Sequence, residues 1–225
     1  MAASYKQLFF LLAFAAALQA AGFSAPNPLP KVELKRVPDG GIQPQVAVAE
    51  DGTVHLVYFK GDPLGGDLFY ADSKDGTSFP PPIRVNSVPG TSIAVGNIRG
   101  ARIAVGRSGS VHVVWNGSGN AARSNDGKAP MLYTRLLKGH TAFEPEQNLI
   151  HTAYGIDGGG GIAADRAGRV FIFWHAPLPG SEGEQARRVW MTRSQDDGQT
   201  FDPERVAWTG ANRRLRVLFA QRFCR

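Results

Sequence analysis

The sequence has 225 residues, of which 43% are hydrophobic and 20% are charged, and its formal net charge is +6. This composition is too apolar for an intrinsically disordered chain and too polar for a protein with many membrane spans. The single cysteine, Cys224, excludes an internal disulfide framework and a zinc site with four cysteine ligands.

The positive charge lies at the two ends of the chain. Residues 1–25 contain one lysine and residues 209–225 contain five arginines, and neither segment has an acidic residue. The remaining residues, 26–208, are therefore neutral. Because no stripe of lysine and arginine runs through this part, we expect no nucleic acid partner.

The N-terminal segment, residues 1–25, is typical of a secretory signal peptide. Lys6 precedes an apolar run at residues 8–21, and small residues follow it. The run is shorter than the ~20 residues that a membrane-spanning helix needs. The sequence therefore predicts a secreted or periplasmic protein with no stable membrane insertion after cleavage. A proline-containing linker is predicted at residues 26–40.

Residues 41–208 contain three copies of one strand pattern, at about 41–86, 98–150 and 157–208. Each copy has a first strand of small apolar residues, a glycine turn, a bulky second strand, a third strand, a turn that ends in phenylalanine, and a short fourth strand. The predicted first strands are 46–49, 103–106 and 161–164; the second strands 54–59, 111–115 and 170–174; the third strands 68–70, 131–133 and 189–191; and the clearest fourth strand is 83–86.

The spacing of the copies indicates propeller blades. The turn glycines Gly52, Gly109 and Gly168 are 57 and 59 residues apart. Repeats of about this length with four strands are typical of propellers, where thin first strands converge on an axis and bulky second strands are covered on both faces. We predict an all-β propeller with about three four-stranded blades. A β-sandwich is the alternative fold.

The turns between the third and fourth strands carry the most specific motif. Residues 194–201 read Ser-Gln-Asp-Asp-Gly-Gln-Thr-Phe, and residues 73–79 match the same pattern one residue short. Serine and aspartate side chains can accept backbone N–H bonds in such a turn, and glycine can adopt a positive φ. We expect the closing phenylalanine to enter the blade core and fix the turn. The turn at 137–143 keeps only that phenylalanine, Phe143.

These motifs resemble the Asp box, or bacterial neuraminidase repeat, of the sialidase-like β-propeller superfamily, over about residues 40–208. The resemblance implies a six-bladed family, structural Asp boxes on the face opposite the active site, and exo-α-sialidase-type glycoside hydrolysis of terminal acidic sugars. It also implies that arginines hold the substrate carboxylate, with Arg99 as the candidate, and that Asp62 is the acid/base. An Arg-Ile-Pro motif of the family aligns with Ile42-Gln43-Pro44, so isoleucine stands where the family has arginine.

In a propeller, the loops into the first strands and the loops between the second and third strands share one face. The predicted strands put a mixed-charge set of side chains there: Gln43, Arg99, Asp157, Lys60, Asp62, Asp67, Asn116, Arg123, Asp126, His175, Glu182, Glu184, Arg187 and Arg188. Such a set suits a sugar or a small anion, and Gln43, Arg99 and His175 are the predicted substrate-binding residues. His55 and His112 occupy the same repeat position, which favours a structural role.

The predicted partner is a glycan or glycoconjugate, with no metal and no cofactor. The alternatives are a non-catalytic propeller that binds carbohydrate or protein, and an inactive truncated fragment. The strand pattern stops after Trp208, and residues 209–225 form an arginine-rich tail. One hypothesis for this tail is a truncated or frameshifted product.

Overall fold

The computed structural model describes residues 32–96, 100–122 and 127–207. The chain divides into two units, residues 1–35 and 36–225, and all the strands described below belong to the second unit. The predicted signal peptide, Arg99 and the arginine-rich tail lie outside the described residues. In the described ranges, no helix has the length and apolar character that crossing a membrane requires.

The fold is all-β, with three four-stranded antiparallel sheets whose strands follow one another in sequence. The first sheet contains β1 (Ile42–Val48), β2 (Val54–Lys60), β3 (Asp67–Ser73) and β4 (Ile83–Arg84). The second contains β5 (Arg102–Val105), β6 (Val111–Asn116), β7 (Met131–Leu136) and β8 (Gln147–Asn148). The third contains β9 (Gly161–Ala164), β10 (Val170–Pro177), β11 (Arg187–Ser194) and β12 (Arg205–Val206). Helical structure in the described ranges is limited to 3-10 turns at Pro38–Gly40, Arg107–Gly109 and Glu184–Ala186.

The predicted three-copy pattern is confirmed, and its strands differ from the prediction mainly in length. β3 and β11 extend well beyond the predicted 68–70 and 189–191 because their pairing with β2 and β10 continues to Ser73 and Ser194. β1 begins at Ile42 rather than residue 46, and an irregularity between Ile42 and Gln45 shifts its register against β2. The prediction missed this extension because Pro44 interrupts the apolar pattern.

The first strands of the three sheets lie side by side. β5 packs next to both β1 and β9, so the sheets share a common inner edge. Their side chains are small at the close approach, where a Cβ on Gly106 would lie 3.2 Å from the Cβ of Ala164. The three sheets are therefore arranged like consecutive blades of a propeller.

Two hydrophobic cores lie between neighbouring sheets. The first contains Phe59 of β2 and Trp115 of β6, and the second contains Val114 of β6 and Ile172 of β10. Successive side chains of a strand point to opposite faces, so β6 contributes to both cores. All six residues of β6 are buried for this reason.

The turn of the third sheet at residues 194–201 is held by its own side chains, as the sequence predicts; this turn and its counterparts at 73–79 and 137–143 are called Asp-box turns below, for the sequence pattern that the first two match. The Ser194 hydroxyl donates to Oδ1 of Asp196 (2.7 Å) and accepts the backbone N–H of Gly198 (2.8 Å). The same carboxylate oxygen accepts the N–H of Thr200 at 2.9 Å. Gly198 adopts a φ of +83°, a conformation that glycine reaches at no steric cost.

The first sheet repeats this arrangement despite its shorter turn. The Ser73 hydroxyl donates to Oδ1 of Asp75 (2.8 Å), which also accepts the N–H groups of Thr77 and Ser78, each at 2.8 Å. These hydrogen bonds stabilise the charged form and lower the pKa of Asp75. The two turns that match the motif are therefore stabilised in the same way.

Phe143 and Phe201 pack against hydrophobic cores as expected, and these cores lie between neighbouring sheets. Phe143 of the second sheet lies edge-on to Tyr70 of the first, with ring centroids 5.5 Å apart. Phe201 of the third sheet meets Tyr133 of the second in the same way, at 4.8 Å. Each phenylalanine therefore meets an aromatic side chain of the preceding sheet.

Two glutamates also join neighbouring sheets. Glu204 precedes β12, and its Oε1 accepts the N–H groups of His151 (2.8 Å), Thr152 (2.5 Å) and Ala153 (3.0 Å) in the loop that follows β8. Glu146 precedes β8 and accepts N–H groups of the loop that follows β4. Burial raises the pKa of Glu204, but the backbone hydrogen bonds outweigh this effect and lower the pKa to about 2.

Replacing Phe201 with alanine should lower the free energy of unfolding by about 2 kcal/mol, because the edge-to-face contact with Tyr133 is lost and a gap remains between two sheets. Phe79→Ala is the matched control. Phe79 closes the equivalent turn of the first sheet, which has no preceding sheet among the described residues, so its loss should be less than half as large. Urea unfolding measures both changes, and equal losses would contradict the packing role.

Glu204→Gln should destabilise the protein at pH 7 by about 2 kcal/mol, because a neutral amide holds three backbone N–H groups less well than a carboxylate. The pKa of Glu204 is lower in the folded state than in the unfolded state, so its stabilisation is complete above about pH 5 and is lost as the pH falls towards 2. Urea midpoints of the two proteins should therefore converge between pH 5 and pH 2. A constant difference over that range would show that the charge is not involved.

Candidate functional site

The sheets have two ends with different contents. The loop end comprises the β2–β3, β6–β7 and β10–β11 loops together with the segments that lead into β1, β5 and β9. The turn end comprises the β1–β2, β5–β6 and β9–β10 hairpin turns and the Asp-box turns. Antiparallel strands reverse at alternate ends, so Gln43, Asp62 and His175 lie at the opposite end of the sheets from the Asp-box turns.

Gln43 lies at the start of β1 with a φ of +52°. Its Nε2 donates to the carbonyls of Ala94 (3.2 Å) and Gly96 (2.8 Å), in the segment that leads into β5. Its Oε1 is buried and has no hydrogen-bond partner among the described residues. Gln43 therefore joins the first two sheets and leaves one buried acceptor unsatisfied.

Asp62 is exposed in the β2–β3 loop and shapes that loop. Its Oδ1 accepts the N–H of Leu64 at 2.9 Å, and its carbonyl accepts the N–H of Gly65 at 2.9 Å. The next carbonyl, that of Pro63, accepts the N–H of Ala94, which also receives a hydrogen bond from Gln43. The structure thus brings Gln43 and the Asp62 loop together through Ala94.

His175 lies half-buried in β10, opposite Val189. Its carbonyl accepts the N–H of Asp157 at 2.9 Å, so the segment leading into β9 lies beside it. Arg187 of β11 donates to the carbonyl of Gly155 in the same segment at 3.0 Å. The described contacts place His175 with Asp157 and Arg187 at the third sheet, whereas Gln43 and Asp62 lie at the first.

Asn116 stands between these two groups, at the end of β6. Its buried Nδ2 donates to the carbonyl of Gly158 at 2.5 Å, and its Oδ1 is buried with no hydrogen-bond partner among the described residues. A buried acceptor without a donor is unfavourable, which makes it a good partner for an incoming donor. The two amide oxygens of Gln43 and Asn116 can accept hydrogen bonds from hydroxyl groups.

Arg102, the first residue of β5, is a candidate that the strand prediction missed. It is half-buried, and its guanidinium contacts the carbonyls of Gly100 (3.5 Å) and Ala101 (3.3 Å) but no acidic partner among the described residues. Gly100 lies against Gln43, since a Cβ on Gly100 would be 3.2 Å from Oε1 of Gln43. Burial lowers the pKa of Arg102, but an arginine keeps its charge in proteins. The sequence signal was an arginine directly before a thin apolar strand.

Three of the predicted residues, Arg99, Arg123 and Asp126, lie outside the described residues. In the described ranges, no group of three or more histidine, cysteine, aspartate or glutamate side chains could hold a metal ion. Among the polar groups described at the loop end are the guanidinium of Arg102, the amide oxygens of Gln43 and Asn116 and the exposed carboxylate of Asp62, whereas His175, Asp157 and Arg187 lie at the third sheet.

No protein-family model matches the chain, and no curated protein matches it. A solved protein of unknown function from Dyadobacter fermentans DSM 18053 is 15% identical, with 74% of this chain and 50% of that chain covered and a TM-score of 0.45. A GH62 hydrolase solved in complex with xylotriose is 12% identical, with 68% of this chain and 55% of that chain covered and a TM-score of 0.38. The chain spans about half the length of these solved structures.

Gln43→Ala should lower the free energy of unfolding by about 1–2 kcal/mol, because two hydrogen bonds between sheets are lost and alanine resists the positive φ. Gln45→Ala is the matched control, since Gln45 is the next glutamine in β1 and its Nε2 bonds only the adjacent Pro44 carbonyl (2.9 Å). The control should change stability by less than about 0.5 kcal/mol. Urea unfolding compares the two, and similar values would contradict the joining role of Gln43.

Proposed function

We propose that this chain is an exported, sialidase-like propeller of the six-bladed family whose loop end binds the terminal acidic sugar of a glycoconjugate. Two observations support this proposal. One is the pair of Asp-box turns at the same point of two four-stranded sheets, with the same side-chain hydrogen bonds. The other is the signal-like N-terminal segment, which supports a secreted or periplasmic location.

The observation that carries the proposed ligand is Arg102. A half-buried guanidinium without an acidic partner in the described part of the chain is suited to a carboxylate, which it can bind through two parallel hydrogen bonds. Arg99 lies three residues earlier in the segment leading into β5, so the sequence supplies a second cation to the same segment. An acidic sugar offers the carboxylate that such a pair would hold.

The buried amide oxygens support the sugar part of the ligand. Oε1 of Gln43 lies beside Gly100, whose carbonyl contacts Arg102, and Oδ1 of Asn116 lies at the end of the neighbouring strand. Both oxygens are buried, so a sugar hydroxyl would satisfy them only where binding turns these side chains outward. His175 and Asp157 would extend the binding surface towards the third sheet.

Hydrolysis of the bound sugar is the second candidate function, with Asp62 as the acid/base. Its support is the exposed carboxylate in the first β2–β3 loop, where the family resemblance implies a catalytic aspartate. However, one carboxylate oxygen of Asp62 accepts a hydrogen bond within its own loop. A general acid or base must reach the proton that it transfers. The geometry therefore favours a non-catalytic glycan-binding propeller over a glycoside hydrolase.

Binding of sialyllactose and lactose, measured by calorimetry on the full chain, tests the proposal. We expect sialyllactose to bind and lactose not to bind, because only the former carries a carboxylate. Arg102→Ala should weaken binding at least tenfold and Arg102→Lys less, whereas Arg84→Ala, an exposed arginine of β4, should leave it unchanged. The proposal would be contradicted if both sugars bound equally well, or if a folded Arg102→Ala variant bound sialyllactose as tightly as the wild-type chain.

A fluorogenic sialoside distinguishes binding from hydrolysis in the same proteins. We expect no more turnover by the wild-type chain than by Asp62→Asn, together with unchanged sialyllactose binding in that variant. Turnover that Asp62→Asn abolishes would instead establish the second candidate. If this chain instead binds a protein, and sugar does not affect that binding, the remaining alternative, a protein-binding propeller, would be supported.

A further inference from the structure

A histidine–tyrosine pair recurs at the turn end of the first two sheets. Nδ1 of His55 lies 2.7 Å from the hydroxyl of Tyr70, and Nδ1 of His112 lies 2.7 Å from the hydroxyl of Tyr133. Both histidines are buried, and each pair faces the sheet that follows it. The predicted structural role of the two histidines fits these contacts, but their Nε2 atoms meet different surroundings.

Between the second and third sheets, a carboxylate completes the arrangement. Asp197, in the Asp-box turn of the third sheet, lies with Oδ1 3.5 Å from Nε2 of His112, and its Oδ2 accepts the hydroxyl of Ser110 at 2.7 Å. Arg135 donates to the backbone carbonyl of Asp197 at 2.7 Å. Only 5% of Asp197 is exposed, so this carboxylate fills the space between the sheets.

Between the first and second sheets, the corresponding turn has no carboxylate. Counted back from the closing phenylalanine, the position of Asp197 is occupied by Gly139, and no acidic residue is present in the turn at 137–143. The space is instead a cleft of about 740 Å³, lined by His55 and Tyr70 on one side and by Arg107, Lys138 and His140 on the other. Nε2 of His55 has no hydrogen-bond partner in the part of the chain that the structure describes.

We propose that this cleft is a binding site for a small carboxylate-bearing molecule, whose carboxylate takes the place beside His55 that Asp197 takes beside His112. The site lies at the turn end and is separate from the proposed sugar site at the loop end. It does not depend on the proposed function.

The tautomer of His55 suits a carboxylate. A carboxylate can only accept, so the proton of the neutral His112 ring that faces Asp197 is on Nε2, and Nδ1 accepts the hydroxyl of Tyr133. If the Tyr70 hydroxyl donates to Nδ1 of His55, as the Tyr133 hydroxyl does to Nδ1 of His112, the proton of His55 is on Nε2 and is available to a carboxylate in the cleft that His55 lines. Burial lowers the pKa of His55, so the ring is neutral at pH 7 and acts as a hydrogen-bond donor.

Two lining cations are not neutralised by an acid in the described part of the chain: Lys138, and Arg107, whose guanidinium also lies beside Gly168 of the third sheet. Glu50 is paired with Arg166, and Asp51 is paired with Lys74 at 3.0 Å. Arg107 and Lys138 are exposed and form no ion pair among the described residues.

Asp72 is the one acidic lining residue without an ion-pair partner in the described ranges, and it lies opposite His55 in β3. A carboxylate therefore has to enter along the Arg107 and Lys138 wall, away from Asp72. The cleft volume is in the range of small-molecule sites, so a ligand larger than one carboxyl group fits.

Histidine ring signals in NMR test the site on the full chain, with sodium acetate as the probe and acetamide as its uncharged match, at constant ionic strength. Acetate should shift the His55 ring signals in a saturable way at millimolar concentration, and acetamide should not. The His112 signals should stay unchanged, because Asp197 already occupies that position. Equal shifts from acetate and acetamide, equal shifts at the two histidines, or no shift of His55 at 100 mM acetate would overturn the proposal.

Three variants locate the effect. Gly139→Asp introduces a carboxylate at the residue that corresponds to Asp197 when the turns are counted back from their phenylalanines. A Cβ there meets no atom within 4 Å, and although the φ of +85° strains a side chain, Asp197 itself has a φ of +61°; the variant should remove the acetate response of His55. The double variant Arg107→Ala, Lys138→Ala changes only exposed side chains and should weaken the binding of acetate at least threefold. Arg102→Ala, at the loop end, should leave the acetate response intact, so failure of one site is distinguishable from failure of the other. An acetate response unchanged in Gly139→Asp and in the double variant would also overturn the proposal.

Discussion

Packing between neighbouring sheets is the constraint on which the rest of this structure depends. Each described hydrophobic core lies between two sheets, and β6 serves both cores through its alternating faces. A four-stranded sheet on its own would leave an apolar face in water, and the free energy of burial is gained only when the next sheet covers it. The side chains that hold one sheet against the next therefore matter as much as those that form each sheet.

The turn end supplies several of these side chains, and it does so by repetition. The Asp-box turn fixes its own backbone through serine and aspartate, and its phenylalanine then packs on the tyrosine of the preceding sheet. Glu204 and Glu146 add backbone contacts at the same two junctions. Because the two junctions share this plan, a difference between them stands out: one has a buried aspartate beside its histidine, and the other has a cleft.

The two ends of the sheets thus differ in how their polar groups are satisfied. At the turn end, most polar groups bond one another, as a structural junction requires, except that Nε2 of His112 and Oδ1 of Asp197, 3.5 Å apart, are buried without a hydrogen-bond partner among the described residues. At the loop end, Gln43 and Asn116 each keep one buried oxygen without a partner in the described part of the chain, and Gln43 lies beside Gly100, whose carbonyl contacts an arginine that has no acid to pair with in the same ranges. Unsatisfied polar groups that gather at one end of a fold are a reason to look for a ligand there. The cleft beside His55 is the exception at the turn end, and it arises where the repeated turn has lost its motif.

The sequence alone was sufficient for the three copies, most of the strands and the Asp-box turns. These features depend on contacts within a few residues: the alternation of side chains along a strand, the positive φ of glycine, and the short reach of serine and aspartate. It was not sufficient for the roles of individual side chains. Gln43 and Asp62 were predicted as site residues, yet both use part of their polar groups to hold loops, while Arg102 was overlooked at the edge of a predicted strand.

Only the tertiary structure decided where the phenylalanines pack and which histidine faces open space. Phe201 meets Tyr133 and Asp197 meets His112 across more than 60 residues of chain, because the next sheet is laid against the previous one. With only two or three copies of the repeat, local patterns in the sequence do not reveal which residues form such contacts between sheets. The physical reason is that packing between sheets, rather than propensity within them, determines which polar atoms are satisfied and which remain available.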